Sequence, residues 1–142
     1  MRKVSDILDR KGREVVKVPP GLKVIDALRI MAEKNIGSVV VMDNEHFLGI
    51  MTERDYSRKV ILKGHSSTDT SVADIMVTHC TTVKETDSVE ECMKLLTSQK
   101  LRYLPVMDGE KLVGFISIYD VISEVLLSQK DTISELQNYI QS

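Results

Sequence analysis

The sequence has no tryptophan, two phenylalanines, four tyrosines, two cysteines and three prolines in 142 residues. So few rings leave little on which to stack exposed bases, and 19 basic against 21 acidic residues, a formal net charge of −2, give no broad positive field for a nucleic-acid backbone. No nucleic-acid partner is expected. No apolar run approaches the ~20 residues of a membrane span, so no membrane partner is expected either. The opening Met1-Arg2-Lys3-Val4-Ser5-Asp6 carries the charges of a signal peptide, but the apolar stretch that should follow is broken at Asp6, Asp9 and Arg10. A cytoplasmic location follows as the default. There Cys80 and Cys92 read as thiols of the small buried kind. With His46, His65 and His79 they form no metal-ligand spacing, and no nucleophile stands in a recognisable pairing with a base. No catalytic residues, no metal and no enzymatic activity are expected.

What the chain does contain is a long internal echo. Gly49-Ile50-Met51-Thr52-Glu53-Arg54-Asp55-Tyr56 returns as Gly114-Phe115-Ile116-Ser117-Ile118-Tyr119-Asp120-Val121, offset by 65 residues (114−49). At the same offset Val24-Ile25-Asp26-Ala27-Leu28 answers Val89-Glu90-Glu91-Cys92-Met93 and Val41-Met42-Asp43 recurs, and Val4-Ser5-Asp6-Ile7-Leu8 answers Val72-Ala73-Asp74-Ile75-Met76 at 68 (72−4). Half of such a chain is near the size at which a lone core is marginal, so the halves are expected to share one module about a pseudo-twofold axis. The boundaries expected are repeat 1 at 1–64, a connector at 65–71, repeat 2 at 72–128 and a helical extension at 129–142.

The changes of hydrophobic period give each repeat the order β-α-β-β-α, after a short helical entry at Val4–Leu8 in the first. In the first repeat the pattern predicts a strand at Glu14–Val18, a helix over Val24–Lys34 stopped by Asn35 and Gly37, a buried strand at Ser38–Met42, a turn at Asp43–His46, a returning strand at Phe47–Met51 and a helix from Thr52 to Leu62. In the second it predicts a strand near Thr81–Val83, a helix to about Gln99, a hairpin of Tyr103–Met107 and Leu112–Ile116 about Asp108-Gly109, and a last helix from Ser117. Val121, Val125, Ile133, Leu136 and Ile140 form its apolar stripe, and Lys130-Asp131-Thr132 is a possible break. The fold class is mixed α/β.

Thr52 and Ser117 stand where a strand passes into a helix, with Asp55 and Asp120 three residues on. One reading is capping: the hydroxyl accepts from a first-turn amide and the carboxylate reaches back. The other is ligand binding: a helix start attracts a phosphate, and an aspartate one turn along can accept from both hydroxyls of a ribose. Arg54, Arg58 and Lys59 would balance a phosphate in the first copy. The second has only Tyr119 at the position of Arg54, so the two sites are expected to differ in phosphate affinity.

The octets, the Asp-Ile-Leu/Met entries and Arg102-Tyr103-Leu104-Pro105-Val106-Met107-Asp108 resemble tandem cystathionine-β-synthase (CBS) domains, paired as in the small stand-alone bacterial type of Bateman module. The resemblance covers about residues 3–127. It implies a non-catalytic regulatory sensor, homodimeric, that binds an adenosine ligand in clefts between its repeats: AMP first, with ADP, ATP, NAD or S-adenosylmethionine as alternatives. Carried over by position, Asp55 and Asp120 would hold ribose, and Thr52 and Ser117 would meet phosphate, helped by Arg54, Arg58 and Lys59. Val18, Gly37, Ser38 and Met51 in one copy, and Thr82, Val83, Tyr103, Leu104, Pro105 and Ile116 in the other, would line the adenine. Val18-Pro19-Pro20 lacks the threonine found at Thr82, which weakens the first adenine site. The competing reading is a ligand-free scaffold for self-association.

Overall fold

The computed structural model describes residues 2–141. Its elements are α1 (Val4–Lys11), β1 (Lys17–Val18), α2 (Val24–Lys34), β2 (Ser38–Asp43), β3 (His46–Thr52), α3 (Glu53–Tyr56), α4 (Val72–Ile75), α5 (Val89–Ser98), β4 (Tyr103–Asp108), β5 (Lys111–Ser117) and α6 (Ile118–Gln141). A π-helical turn, Ser57–Ile61, continues α3, so the helix expected over Thr52–Leu62 is wider than α over its second half.

The chain forms two compact units: residues 15–80, and residues 1–14 together with 81–142. The unit of residues 15–80 holds a three-stranded sheet in the order β1-β2-β3, with β1 parallel and β3 antiparallel to β2. Val39, Val40 and Val41 are all buried, as a β-branched run covered on both faces should be. Residue Asn35, left-handed at φ 53°, ends α2, and Asn44, at φ 54°, turns the β2–β3 hairpin.

The other unit repeats this plan with one strand fewer. Lys100 and Gly109, 65 residues on (100−35 and 109−44), take the same left-handed conformation, and the β4–β5 hairpin carries its bulge at Val106/Met107 where β2–β3 has one at Val41/Met42. The strand expected at Thr81–Val83 is reduced to a single parallel bridge between Val83 and Val106. The cause is Pro105. In the first repeat the Val40 amide donates to the Val16 carbonyl at 3.1 Å. Pro105 is the counterpart of Val40 and has no N–H, so the ladder cannot extend back to Thr81.

Each unit also takes in the helical entry of the opposite repeat. α4 and the segment after it belong with residues 15–80: Ile50 and Val77 exchange backbone hydrogen bonds at 3.0 and 2.8 Å. α1 belongs with the second repeat, where Val4, Ile7 and Leu8 join Val83, Val89, Cys92, Leu96, Leu104, Val106, Ile116 and Val121 in one core. The octet glycines permit this packing. A Cβ on Gly49 would lie 2.3 Å from the Val77 carbonyl oxygen, and one on Gly114 would lie 2.7 Å from a Leu8 methyl carbon.

α6 runs unbroken from Ile118 to Gln141. Lys130-Asp131-Thr132 does not interrupt it, because Asp131 accepts from Arg2 (2.5 Å) instead of capping a new helix and the Thr132 hydroxyl donates back to the Ser128 carbonyl (3.1 Å). The expected single stripe also divides. Val121 is buried and Val125 half-buried, whereas Ile133, Leu136 and Ile140 are exposed. No helix among the described residues is long and apolar enough to cross a membrane.

Candidate functional site

The octet builds the same corner in both units. β3 ends at Thr52, whose hydroxyl accepts from the Asp55 amide (3.1 Å), while the Asp55 carboxylate accepts from the Thr52 amide (2.9 Å) and hydroxyl (3.0 Å). β5 ends at Ser117, whose amide donates to Asp120 at 2.8 Å and whose hydroxyl accepts from the Asp120 amide at 3.2 Å. These are reciprocal capping boxes.

Most of the first-turn amides are therefore taken within the units. The Glu53 amide donates to the Gly37 carbonyl at 3.1 Å and the Ile118 amide to the Arg102 carbonyl at 2.8 Å, while Asp55 and Asp120 donate to the hydroxyls. An anion at either corner would depend mainly on side-chain cations.

Each corner has one lysine in place. Lys59 Nζ lies 3.3 Å from Asp55 Oδ1 and also donates to the Ile75 carbonyl at 2.8 Å. In the other unit Lys11 Nζ donates to Asp120 Oδ2 at 2.7 Å and to the Phe115 carbonyl at 2.9 Å. The sequence comparison missed Lys11. It comes from the entry helix, 109 residues before Asp120, and no feature of the second octet points to it. Lys11 thus gives the second corner a cation from outside its octet, where Tyr119 stands at the position of Arg54. Arg54 and Arg58 are exposed and form no ion pair among the described residues, so the first corner keeps two further cations.

The expected adenine-lining residues separate into two sets. Val18 and Met51 in one unit, and Val83, Leu104, Pro105 and Ile116 in the other, are buried, five of them in the two hydrophobic cores. Ser38 is buried opposite Thr52 in the β2–β3 register. Accessible are Gly37, Thr82 and Tyr103, of which Tyr103 stacks on Phe115 with ring centroids 5.5 Å apart and planes at 10°. On β5 strand alternation sorts the residues: Ile116 points into the core, while Phe115 and Ser117 share the opposite face. Tyr103, Phe115, Ser117, Asp120 and Lys11 are thus gathered at one end of the β4–β5 hairpin.

An open cavity of about 450 Å³ lies beside α2, lined by Leu28, Met31, Ala32, Asn35, Ile36, Gly37 and Glu53. Of the expected site residues named above it includes Gly37. No group of three or more His, Cys, Asp or Glu among the described residues is arranged to hold a metal ion.

A repeated helix-and-hairpin unit with a hydroxyl–aspartate corner at the end of each hairpin defines a class, and the CBS-domain profile matches residues 4–61 and 72–127. The chain belongs to the CBS-domain family and is a CBS-domain pair, a regulatory module. It is 33% identical over 147 aligned positions to the mitochondrial CBS domain-containing protein CBSX3 of Arabidopsis thaliana, covering 97% of this chain and 71% of that one. Among solved structures, the CBS-domain containing protein ATU1752 of Agrobacterium tumefaciens matches with a TM-score of 0.81 at 36% identity, over 86% of this chain and 98% of that one. CBSX2, solved in complex with AMP, matches with a TM-score of 0.71 at 28% identity, over 91% and 99%.

Proposed function

We propose that this CBS pair is a non-catalytic sensor of adenosine nucleotides, with AMP as its first ligand and ADP, ATP or NAD as alternatives. The reading rests on one observation: each unit sets an aspartate and a lysine together at the same corner, Asp55 with Lys59 and Asp120 with Lys11. The carboxylate can accept from ribose hydroxyls and the ammonium can meet the phosphate carried on the 5′ carbon of the same sugar, each charge-assisted contact being worth roughly 1.5–3 kcal/mol. The AMP complex of CBSX2 supports the ligand class. Tyr103 and Phe115 offer an aromatic face for adenine, and Arg54 and Arg58 suit ligands with more than one phosphate. A bound nucleotide would draw Lys11 and Lys59 from carboxylate to phosphate, and the protein acts as a homodimer whose conformation shifts by the difference in affinity between the two arrangements. The free thiols of Cys80 and Cys92 suit a reducing cytoplasm.

Thermal melting tests this directly. AMP at 100 times its dissociation constant stabilises the folded state by about 2.7 kcal/mol; melting curves superimposable with and without millimolar AMP, ADP, ATP and NAD would remove the proposal. A second reading, a ligand-free scaffold, is favoured by one feature. The same aspartate-to-amide bond occurs at Lys3/Asp6 (2.8 Å), Ser71/Asp74 (3.1 Å) and Lys84/Asp87 (2.8 Å), away from either corner. Among the described residues none of those three carboxylates has a lysine within ion-pair distance, although Lys23 acts on Asp74 from further off.

A further inference from the structure

The last thirteen described residues, 129–141, are all exposed although they continue α6. A helix of about 12–15 residues that buries little of its own surface is marginal in water. Its apolar residues are not scattered. Tyr119, Ile122, Leu126, Gln129, Ile133, Leu136 and Ile140 follow one another at alternating steps of three and four over three heptads, and Gln129 is the one polar member. The six apolar members keep 39–81% of their surface in solvent.

This seam is separate from the face α6 uses within its own unit. There Val121 and Glu124 are buried, and Glu124 is held by the guanidinium groups of Arg2 and Arg10. At 100° per residue, Leu126 stands about 140° round the helix from Val121. The spacing of 3.5 residues is what a partner helix of the same period requires, since it keeps an apolar stripe facing that partner along the whole length.

We propose that α6 pairs with the α6 of a second copy of this chain as a parallel two-stranded coiled coil from Tyr119 to Ile140. Area supports a stable pair: at about 150–250 Å² per large side chain, the six apolar residues expose roughly 700 Å², close to the ~800 Å² per partner of a standard interface. Charge supports a like partner. Asp120, Glu124, Lys130, Asp131 and Glu135 all lie off the seam, and a parallel pair sets Lys130 of one copy near the neutral Val125 of the other. Gln129 supports the parallel sense. In parallel register its amide meets the same amide of the second copy and both find a partner, whereas the antiparallel register that layers the other seam residues sets Gln129 against Ile133.

The inference rests on the homodimer part of the proposed function and is independent of the nucleotide. Two measurements test it, beginning with mild oxidation of Ile133→Cys in a Cys80→Ser background at micromolar concentration. A covalent dimer is expected, and the control Ser134→Cys, one position off the seam, should give none. Sedimentation velocity of Ile133→Asp/Leu136→Asp should then shift from twice the 16.0 kDa chain mass to once, with an unchanged melt of the units. A wild-type dimer that survives the double substitution, or equal cross-linking at both cysteine positions, overturns the coiled coil and leaves the homodimer to another surface. A wild-type monomer at the same concentration overturns both.

Discussion

Replacing Asp120 by alanine separates its two candidate roles, because the structure bounds what each contributes. The substitution removes the acceptor of the Ser117 amide (2.8 Å) and the partner of Lys11 (2.7 Å). A lost cap bond costs about 1 kcal/mol. The ion pair is 36% exposed at Lys11 and 24% at Asp120, which places it in the range of about 0.2–1 kcal/mol for solvent-screened pairs. The expected loss of stability is therefore about 1–2 kcal/mol, a melting shift of several degrees at roughly 2–4 °C per kcal/mol, and the protein stays folded. If the carboxylate also grips ribose, AMP affinity falls at least about tenfold, or 1.4 kcal/mol. Ser88→Ala is the matched control: it deletes the cap bond from the Glu91 amide (3.1 Å) with no part in the corner. Isothermal titration with AMP on wild type, Asp120→Ala and Ser88→Ala reads the difference. Equal AMP affinity in all three, alongside the expected drop in melting temperature, would refute ribose recognition and leave Asp120 as a cap with a lysine neighbour.

Arg54→Ala should weaken binding more as phosphates are added, leaving adenosine nearly unaffected and ATP most affected; equal losses across adenosine, AMP and ATP in the same titration contradict its phosphate role. Gly49→Ala should destabilise far more than Gly114→Ala in urea melts, because the new methyl meets a backbone carbonyl at 2.3 Å in the first case and a movable leucine side chain at 2.7 Å in the second. Burial pushes the Cys92 thiol from 9.0 up to about 11, so the folded state keeps a proton that the unfolded chain releases in that interval. Stability should fall as pH rises from about 9 to 11, and Cys92→Ala should flatten that part of a denaturation-against-pH curve.

The repeat made much of the fold legible. The 65-residue offset pairs Asn35 with Lys100 and Asn44 with Gly109, and both pairs adopt the left-handed conformation, so the turns are copied even where the side chains are not. The hydroxyl and aspartate of the octet are readable as caps because both partners lie within four residues. Other features need knowledge of which segments meet. Lys11 reaches Asp120 from the far end of the chain, and the octet glycine is required by Val77 in one unit and Leu8 in the other, contacts that no local pattern encodes. The lost strand at Thr81–Val83 lay within reach of sequence reasoning. Pro105 announces a missing donor at the residue whose counterpart, Val40, donates to the neighbouring strand. The core positions of Met51, Val83 and Ile116 escape a carry-over by motif, since adjacent strand residues face opposite sides and a linear motif does not say which side is solvent.

Residues 15–80 fold as a unit that interrupts the other in sequence, so the two pieces of that other unit are joined through a folded spacer. Melting the insert turns that fixed spacer into a floppy loop whose closure must be met by entropy, so damage confined to residues 15–80 weakens residues 1–14 and 81–142 without touching them. Division of the gene at the repeat boundary would strand α1 with the wrong partner, whereas excision of residues 15–80 alone would lift out one intact piece.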